Sequence, residues 1–344
     1  MSSQACCTSD SCRSRNGRWL AAGALASVPL AVAGGWILYS RFGIDHQVPL
    51  PPALEADRAT MYSTEAGLLN FYTAKTAGRP LLLIHSVNAA ASAYEMRPIF
   101  DHYRAHRAVY ALDLPGFGFS ERTDRARTPE DFAQAIVELI ETQIGEPVDA
   151  VALSLGGEFA ARAAQQRPEL FNSLALISPS GFNATGEGRA TQQAVQQGRS
   201  ESAYRVLANP LWGQALYDLI ATRRSIEFFL KQSFVGAVPA ALIDYAYATS
   251  HQPGAHYTPL RFVSGRLFTR DVRDAIYAGV TVPTLVAYDR DAFVSFEALP
   301  TFTAAHTNWQ AVRIEPTLGL PQFEALPKLT DALDAFWGEV VFQP

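Results

Sequence analysis

Six short, largely apolar runs constrain this chain more than any other feature. Leu81-Leu82-Leu83-Ile84 is unbroken, and runs at 108–112, 148–153, 173–177, 284–287 and 310–314 follow it. A strand with one solvated face alternates apolar and polar residues, whereas a strand covered on both faces does not. The runs therefore predict strands buried in a parallel sheet. Helical spacing separates them: Phe132, Ile136, Leu139 and Ile140 fall at i, i+4, i+7 and i+8, on one helical face. An Ala-rich helix is expected at 158–166. The alternation specifies the α/β class, a mostly parallel sheet with helices on both faces. Residues 181–278 break the rhythm, with many aromatics and no strand series. They read as a helical insertion between the sixth and seventh strands.

The 344 residues are 48% apolar and 18% charged, enough for a large core and unlike a disordered chain. Net charge is −5, and no basic cluster marks the globular part, so a nucleic-acid partner is not expected. All three cysteines, Cys6, Cys7 and Cys12, precede it. That excludes a disulfide framework, a cysteine nucleophile and a cysteine-ligated metal from the folded body. No nucleotide or metal motif is present, so no cofactor is expected.

Residues 19–40 carry no charge, and Arg13, Arg15 and Arg18 precede them. At 1.5 Å per residue such a helix crosses roughly 30 Å of hydrocarbon, with Trp19, Trp36 and Tyr39 at the interfaces. The expectation is a cytoplasmic tail (1–18), a single-pass transmembrane anchor (19–40) and an extended linker (41–59), with the globular domain outside the cytoplasm. A cleaved signal ending at Ala31-Val32-Ala33 and a buried helix of the soluble domain are the alternatives. Cys6 and Cys7 are free thiols or acylation sites on the tail. Asn183-Ala184-Thr185 is a glycosylation sequon that matters only on a eukaryotic secretory route.

Val151-Ala152-Leu153-Ser154-Leu155-Gly156-Gly157 is a strand running into a helix with serine at the bend and small residues two before and two after it. A strained nucleophile turn requires that spacing. His85-Ser86-Val87-Asn88 follows the first apolar run, Asp113-Leu114-Pro115-Gly116 ends the second, and Asp291 ends the segment that begins at Pro283. In order and spacing, residues 60–340 resemble the α/β-hydrolase family. The resemblance implies a core at 60–180 and 279–344 with a helical cap at 181–278. It implies Ser154 as nucleophile, the backbone N–H groups of Val87 and Leu155 as oxyanion hole, and Asp291 as the acid, with Asp289 in reserve. His85 matches a structural loop position. A serine at the bend is unlike the dehalogenases and epoxide hydrolases of the family, which use aspartate there.

One part is missing. The family's histidine belongs near Thr317-Leu318-Gly319-Leu320-Pro321-Gln322-Phe323-Glu324, and no histidine occurs from 307 to 344. Two alignments place Gly319 or Leu320 in its position. After Ser154 only His251, His256 and His306 remain. His256 and His251, late in the insertion, are the candidates for a displaced base, and His306 reads as a surface or helix-end residue. The alternative is no histidine relay. Three functions stay open: a serine hydrolase acting on an ester or related carbonyl bond of a hydrophobic small molecule, a hydrophobic-ligand-binding protein of the same fold, and a scaffold binding proteins through the cap.

Overall fold

All six runs are strands of one eight-stranded sheet in this computed structural model, which describes residues 31–183 and 201–341. They are β3 (Leu81–Ile84), β4 (Val109–Leu112), β5 (Val148–Leu153), β6 (Phe171–Ile177), β7 (Thr284–Tyr288) and β8 (Trp309–Arg313). Two strands precede them, β1 (Asp57–Ser63) and β2 (Gly67–Ala74), and the sheet order is β1-β2-β4-β3-β5-β6-β7-β8. The pairs β1–β2 and β2–β4 are antiparallel and the rest parallel.

The parallel strands are covered on both faces, which explains why their sequences do not alternate. Leu82, Ile84, Ala150, Ala152, Leu174 and Val286 pack with helices α3 (Pro129–Leu139) and α4 (Gly156–Gln166). Leu81, Leu83, Val151, Ala175 and Leu285 point the other way, onto α2 (Arg97–Tyr103) and the C-terminal helix Leu326–Val341. Alternate residues of each strand thus feed two separate apolar layers. Helix α3 starts at Thr128 and Pro129 with a capping box closed by Asp131.

The chain passes from β3 to β4 on one side, then returns to lay β5 on the other side of β3. In an open parallel sheet, that reversal leaves a crevice at the carboxyl ends of the flanking strands.

Between β6 and β7 lie helices α5 (Glu201–Leu207), α6 (Gly213–Ile220), α7 (Arg223–Lys231), α8 (Ala240–Ser250), α9 (Tyr257–Val263) and α10 (Val272–Ala275). Several of their contacts fall on loops leaving the carboxyl ends of the parallel strands. Tyr217 donates to the Ala89 carbonyl after β3 (2.7 Å), and Arg122, after β4, donates to the Thr249 carbonyl (2.7 Å). Val235 and Gly236 donate their N–H groups to Glu324, after β8.

Residues 46–56 lie outside any helix or strand and are strapped to this region. His46 Nε2 donates to both oxygens of the buried Asp218 carboxylate at 3.0 and 3.1 Å. Gln252 donates to the Val48 carbonyl, and Tyr245 to that of Pro51.

Residues 1–45 and 46–344 are separate units. In the first, residues 31–43 form helix α1, which exposes Val32, Leu38, Tyr39 and Phe42. Among the described residues no helix is long and apolar enough to cross a membrane. Residues 19–30 of the expected span, the cysteines of the tail and the last two sequon residues lie outside the described residues.

Candidate active site

Ser154 follows β5 directly and has φ of 51°, a left-handed conformation that a non-glycine residue adopts only when its surroundings enforce it. The Ser154 N–H donates to the Ile177 carbonyl at 2.8 Å, and its carbonyl accepts from Gly157 at 2.9 Å. The turn is crowded: a Cβ on Gly156 would stand 2.2 Å from the His85 carbonyl oxygen. Glycine at 156 therefore lets the start of α4 approach the end of β3.

That approach places the loops after β3 and β5 side by side, flanking the crevice. Ile84 pairs with Ala152 in the parallel ladder, so Val87 and Ser154 sit three and two residues beyond paired positions. Val87 and Leu155 are buried, and neither gives its backbone N–H to an acceptor among the described residues. A buried N–H is rarely left without an acceptor, so two such donors beside a strained serine suit a developing oxyanion.

The loop carrying Val87 rests on a residue that the sequence reading did not single out. Glu95 is buried, accepts the Ser86 N–H at 2.9 Å and accepts from Asn88 Nδ2 at 2.8 Å. Burial raises its carboxyl above the usual range against those hydrogen bonds. The one available signal was a lone carboxylate in the otherwise apolar Ala93–Met96 turn.

His85 is wholly buried. Its Nε2 accepts the Leu114 N–H at 2.9 Å, so Nδ1 carries the proton and donates to the Ser86 carbonyl at 2.6 Å. Burial holds the imidazole down at about 3, so at neutral pH it is an uncharged brace between two loops.

Asp291 accepts the N–H groups of Phe293 (2.7 Å) and Val294 (3.3 Å) through Oδ1. Its Oδ2 lies 2.7 Å from where a Cβ on Gly319 would stand. Position 319 is thus the one beside the Asp291 carboxylate, and it holds a glycine with φ of 103°. Burial raises the Asp291 carboxyl, opposed by its two backbone hydrogen bonds. Asp289 is engaged elsewhere, with Arg313 Nε (2.8 Å) and the Thr317 N–H (2.9 Å), which hold its carboxyl below the usual range despite burial.

The structure does not bring the candidate histidines to the serine. No hydrogen bond joins Ser154 to His251 or His256. His251 is buried against its own helix, with Nδ1–H donating to the Tyr247 carbonyl at 2.8 Å. His256 begins α9, its Nδ1 buried and without a partner. Burial lowers it to about 4, although Asp124 and Asp218 pull the other way. His306 ends the helix Leu299–Ala305, donating to the Phe302 carbonyl. Among the described residues no cluster of three or more ligating side chains could hold a metal ion.

The profile described as the alpha/beta hydrolase family matches residues 81–326. An (E)-2-((N-methylformamido)methylene)succinate hydrolase from Acinetobacter baylyi is 29% identical over 153 residues, 43% of this chain and 56% of that one. The chain spans about half the length of the curated relatives it matches. Among solved structures, a serine hydrolase involved in carbazole degradation is similar with a TM-score of 0.63 at 19% identity, covering 82% of this chain and 99% of that one. A membrane phospholipase A, described as a bacterial virulence factor, matches with a TM-score of 0.63 at 19% identity over 94% of this chain and 96% of that one.

Proposed function

We propose that this chain, which belongs to the alpha/beta hydrolase family, is a membrane-anchored serine hydrolase acting on an ester or related carbonyl bond of a hydrophobic small molecule. The observation that carries the proposal is Ser154 at φ 51° between β5 and α4, beside two N–H groups without acceptors. Ser154 attacks the carbonyl carbon, and the Val87 and Leu155 N–H groups receive the oxyanion. The proton leaves without an imidazole. Asp291, with Oδ2 turned to Gly319, takes it through an intervening solvent molecule. The raised carboxyl makes Asp291 a better base than an exposed aspartate. Turnover is slower than with a histidine, whose general-base contribution is about 10²–10⁴-fold.

Three features support the anchor: the uncharged 19–40 run, the exposed apolar side chains of α1, and the match to the membrane phospholipase A over 94% of this chain against 82% for the carbazole-pathway enzyme. The three arginines before the run favour a domain outside the cytoplasm. Carbonate washing of membranes tests the anchor, which fails if the full chain is extracted. Protease access in intact cells tests the side, which fails if the domain is protected.

Gly319 favours a second reading, a protein of the same fold that binds a hydrophobic ligand without turning it over. Labelling by a fluorophosphonate separates the two. Catalysis predicts labelling that is lost in Ser154→Ala and kept in His251→Ala and His256→Ala. Absence of labelling, with a hydrophobic ligand retained through purification, selects the binding protein.

A further inference from the structure

Less than a quarter of the described residues from 46 onward lie between Glu201 and Val263, yet nine of the twelve large hydrophobic side chains exposed in that unit are there. Isolated exposed hydrophobics are ordinary, but a local concentration marks an interaction surface. The spacing is orderly. Trp212, Leu216 and Leu219 stand at i, i+4 and i+7 along α6, while Gly213, Ala215 and Tyr217 of the same helix are buried. The Trp212 indole is fixed by donating to the Val206 carbonyl at 2.7 Å. On α7, Phe228 is 61% exposed, between Arg224 four residues before it and Lys231 three after. Phe229 packs edge-on against it at 5.4 Å.

We propose that this face of the insertion, centred on α6 and α7, rests in the headgroup–acyl boundary of a lipid bilayer. A helix that lies in that boundary has an apolar face with a tryptophan or phenylalanine, flanked by cations whose stems lie along the surface and whose charges reach the headgroups. The Arg224–Phe228–Lys231 stripe has that composition: Lys231 is paired with Glu227 at 2.8 Å, and Arg224 is the cation that suits anionic headgroups. The occupant is specified by the chain itself. The uncharged 19–40 run ends 16 residues before β1 at Asp57, and residues 41–56, part helical and part strapped to the insertion, span less than the roughly 55 Å of a fully extended chain of that length. A bilayer holding that run is therefore an apolar surface permanently within reach, at a high effective concentration. The tether rests on the anchor reading. Contact by α6 and α7 is a separate property.

The experiment uses the full chain with Cys6, Cys7 and Cys12 replaced by serine and one cysteine introduced at a time, Leu216→Cys, Phe228→Cys or Tyr62→Cys. Tyr62, also exposed, lies on β1 and serves as the control. Each is labelled with an environment-sensitive dye and reconstituted into phosphatidylcholine vesicles containing some phosphatidylglycerol, with or without lipid bearing a nitroxide near the headgroup. The expected result is blue-shifted emission at 216 and 228, quenched about twofold or more by nitroxide at the depth interfacial helices occupy, with neither change at 62. Equal, weak quenching at all three sites overturns the proposal. So does shielding of 216 and 228 from aqueous iodide without lipid quenching, which would assign the face to protein. Carbonate extraction of the same vesicles reads the anchor separately. Retention without quenching rejects only the docking face, and extraction of protein whose 216 and 228 labels were quenched rejects only the anchor.

Discussion

Adding a single methyl at Gly156 tests whether the serine turn is built as described. An alanine Cβ there would meet the His85 carbonyl oxygen at 2.2 Å, its carbon at 3.2 Å and Ile84 Cγ2 at 3.3 Å. Bringing 2.2 Å out to ordinary contact, at 3.4 Å or beyond, requires α4 and the end of β3 to part by more than an ångström. Neither side yields easily. The oxygen belongs to the backbone, and the His85 ring is bonded at both nitrogens, to the Leu114 N–H and the Ser86 carbonyl. Overpacking usually costs about 1–3 kcal/mol, and a backbone obstacle places Gly156→Ala near the top, about 3 kcal/mol. For a unit of about 300 residues, at about 2.1 cal/mol/K of unfolding entropy per residue, that lowers Tm by about 5 °C. Gly157→Ala is the internal control. Its Cβ would meet Leu176 Cδ2, the far end of a flexible side chain, at 3.3 Å, and Pro179 Cβ in ordinary contact at 3.8 Å. The cost there is under about 1 kcal/mol and is offset by the better helix propensity of alanine. The measurement is fluorescence-monitored unfolding of both variants in one detergent, with fluorophosphonate labelling in parallel. A shift of the turn by an ångström predicts about a 10²-fold loss of labelling rate in Gly156→Ala. Equal Tm values and equal labelling for the two variants would refute the crowded turn.

Asp291→Asn should lower the labelling rate by about 100-fold, the low end for a general base, and flatten the acidic limb of the pH profile. In the wild type that limb should fall as pH drops through a value above the usual carboxylate range, because burial raises the group; an unchanged profile would exclude Asp291 as the base. His85 has a folded pKa of about 3, below its unfolded value, so the stability it contributes is present above about 6.5 and declines as pH falls toward 3. The cost of His85→Gln, measured by denaturant titration, should therefore shrink by about 2–3 kcal/mol between pH 7 and 4.5, and a pH-independent cost would show that the ring is not held neutral. Glu95→Gln removes one of the two acceptors under the Val87 loop and should lower kcat on a soluble ester while leaving KM near its original value; a change confined to KM would place Glu95 in substrate binding. Gly319→His should lower Tm without restoring fast labelling, since the new Cβ meets Asp291 Oδ2 at 2.7 Å and φ is 103°; a gain in rate would show that the loop readily accepts an imidazole.

The parallel strands were legible because burial on both faces writes itself into consecutive residues. The hairpin of β1 and β2 was not, for the same physical reason reversed. The outer strand reads Asp57-Arg58-Ala59-Thr60-Met61-Tyr62-Ser63, and most of it faces solvent, so its residues carry little apolar signal. Ser154, Val87, Leu155 and Asp291 could be nominated because each lies within a few residues of a strand's carboxyl end, where local sequence and site position coincide. Glu95 and the strap of residues 46–56 could not. Their roles depend on contacts such as His46 with Asp218, 172 residues apart, and no local pattern encodes a pairing at that separation.

The absent histidine was visible as an absence, but sequence left its place split between Gly319 and Leu320. Backbone geometry decides between them, because the hypothetical Cβ of Gly319 meets the free oxygen of Asp291. It also shows that more than a side chain has changed. A φ of 103° lies outside what a histidine adopts without strain, so the loop has taken a path that suits glycine. The segment is pinned at the two residues just before it: the Thr317 N–H donates to Asp289, and the Leu318 N–H to Glu324, whose other oxygen accepts Val235 and Gly236. Glu324 thus couples the path of the loop to the seating of the helical insertion. A histidine restored at 319 would have to move the loop against both hydrogen bonds, and so disturb the insertion's attachment as well. That coupling gives a physical reason for the site to work around the missing imidazole, with Asp291 held in place, rather than for a single substitution to reinstate it.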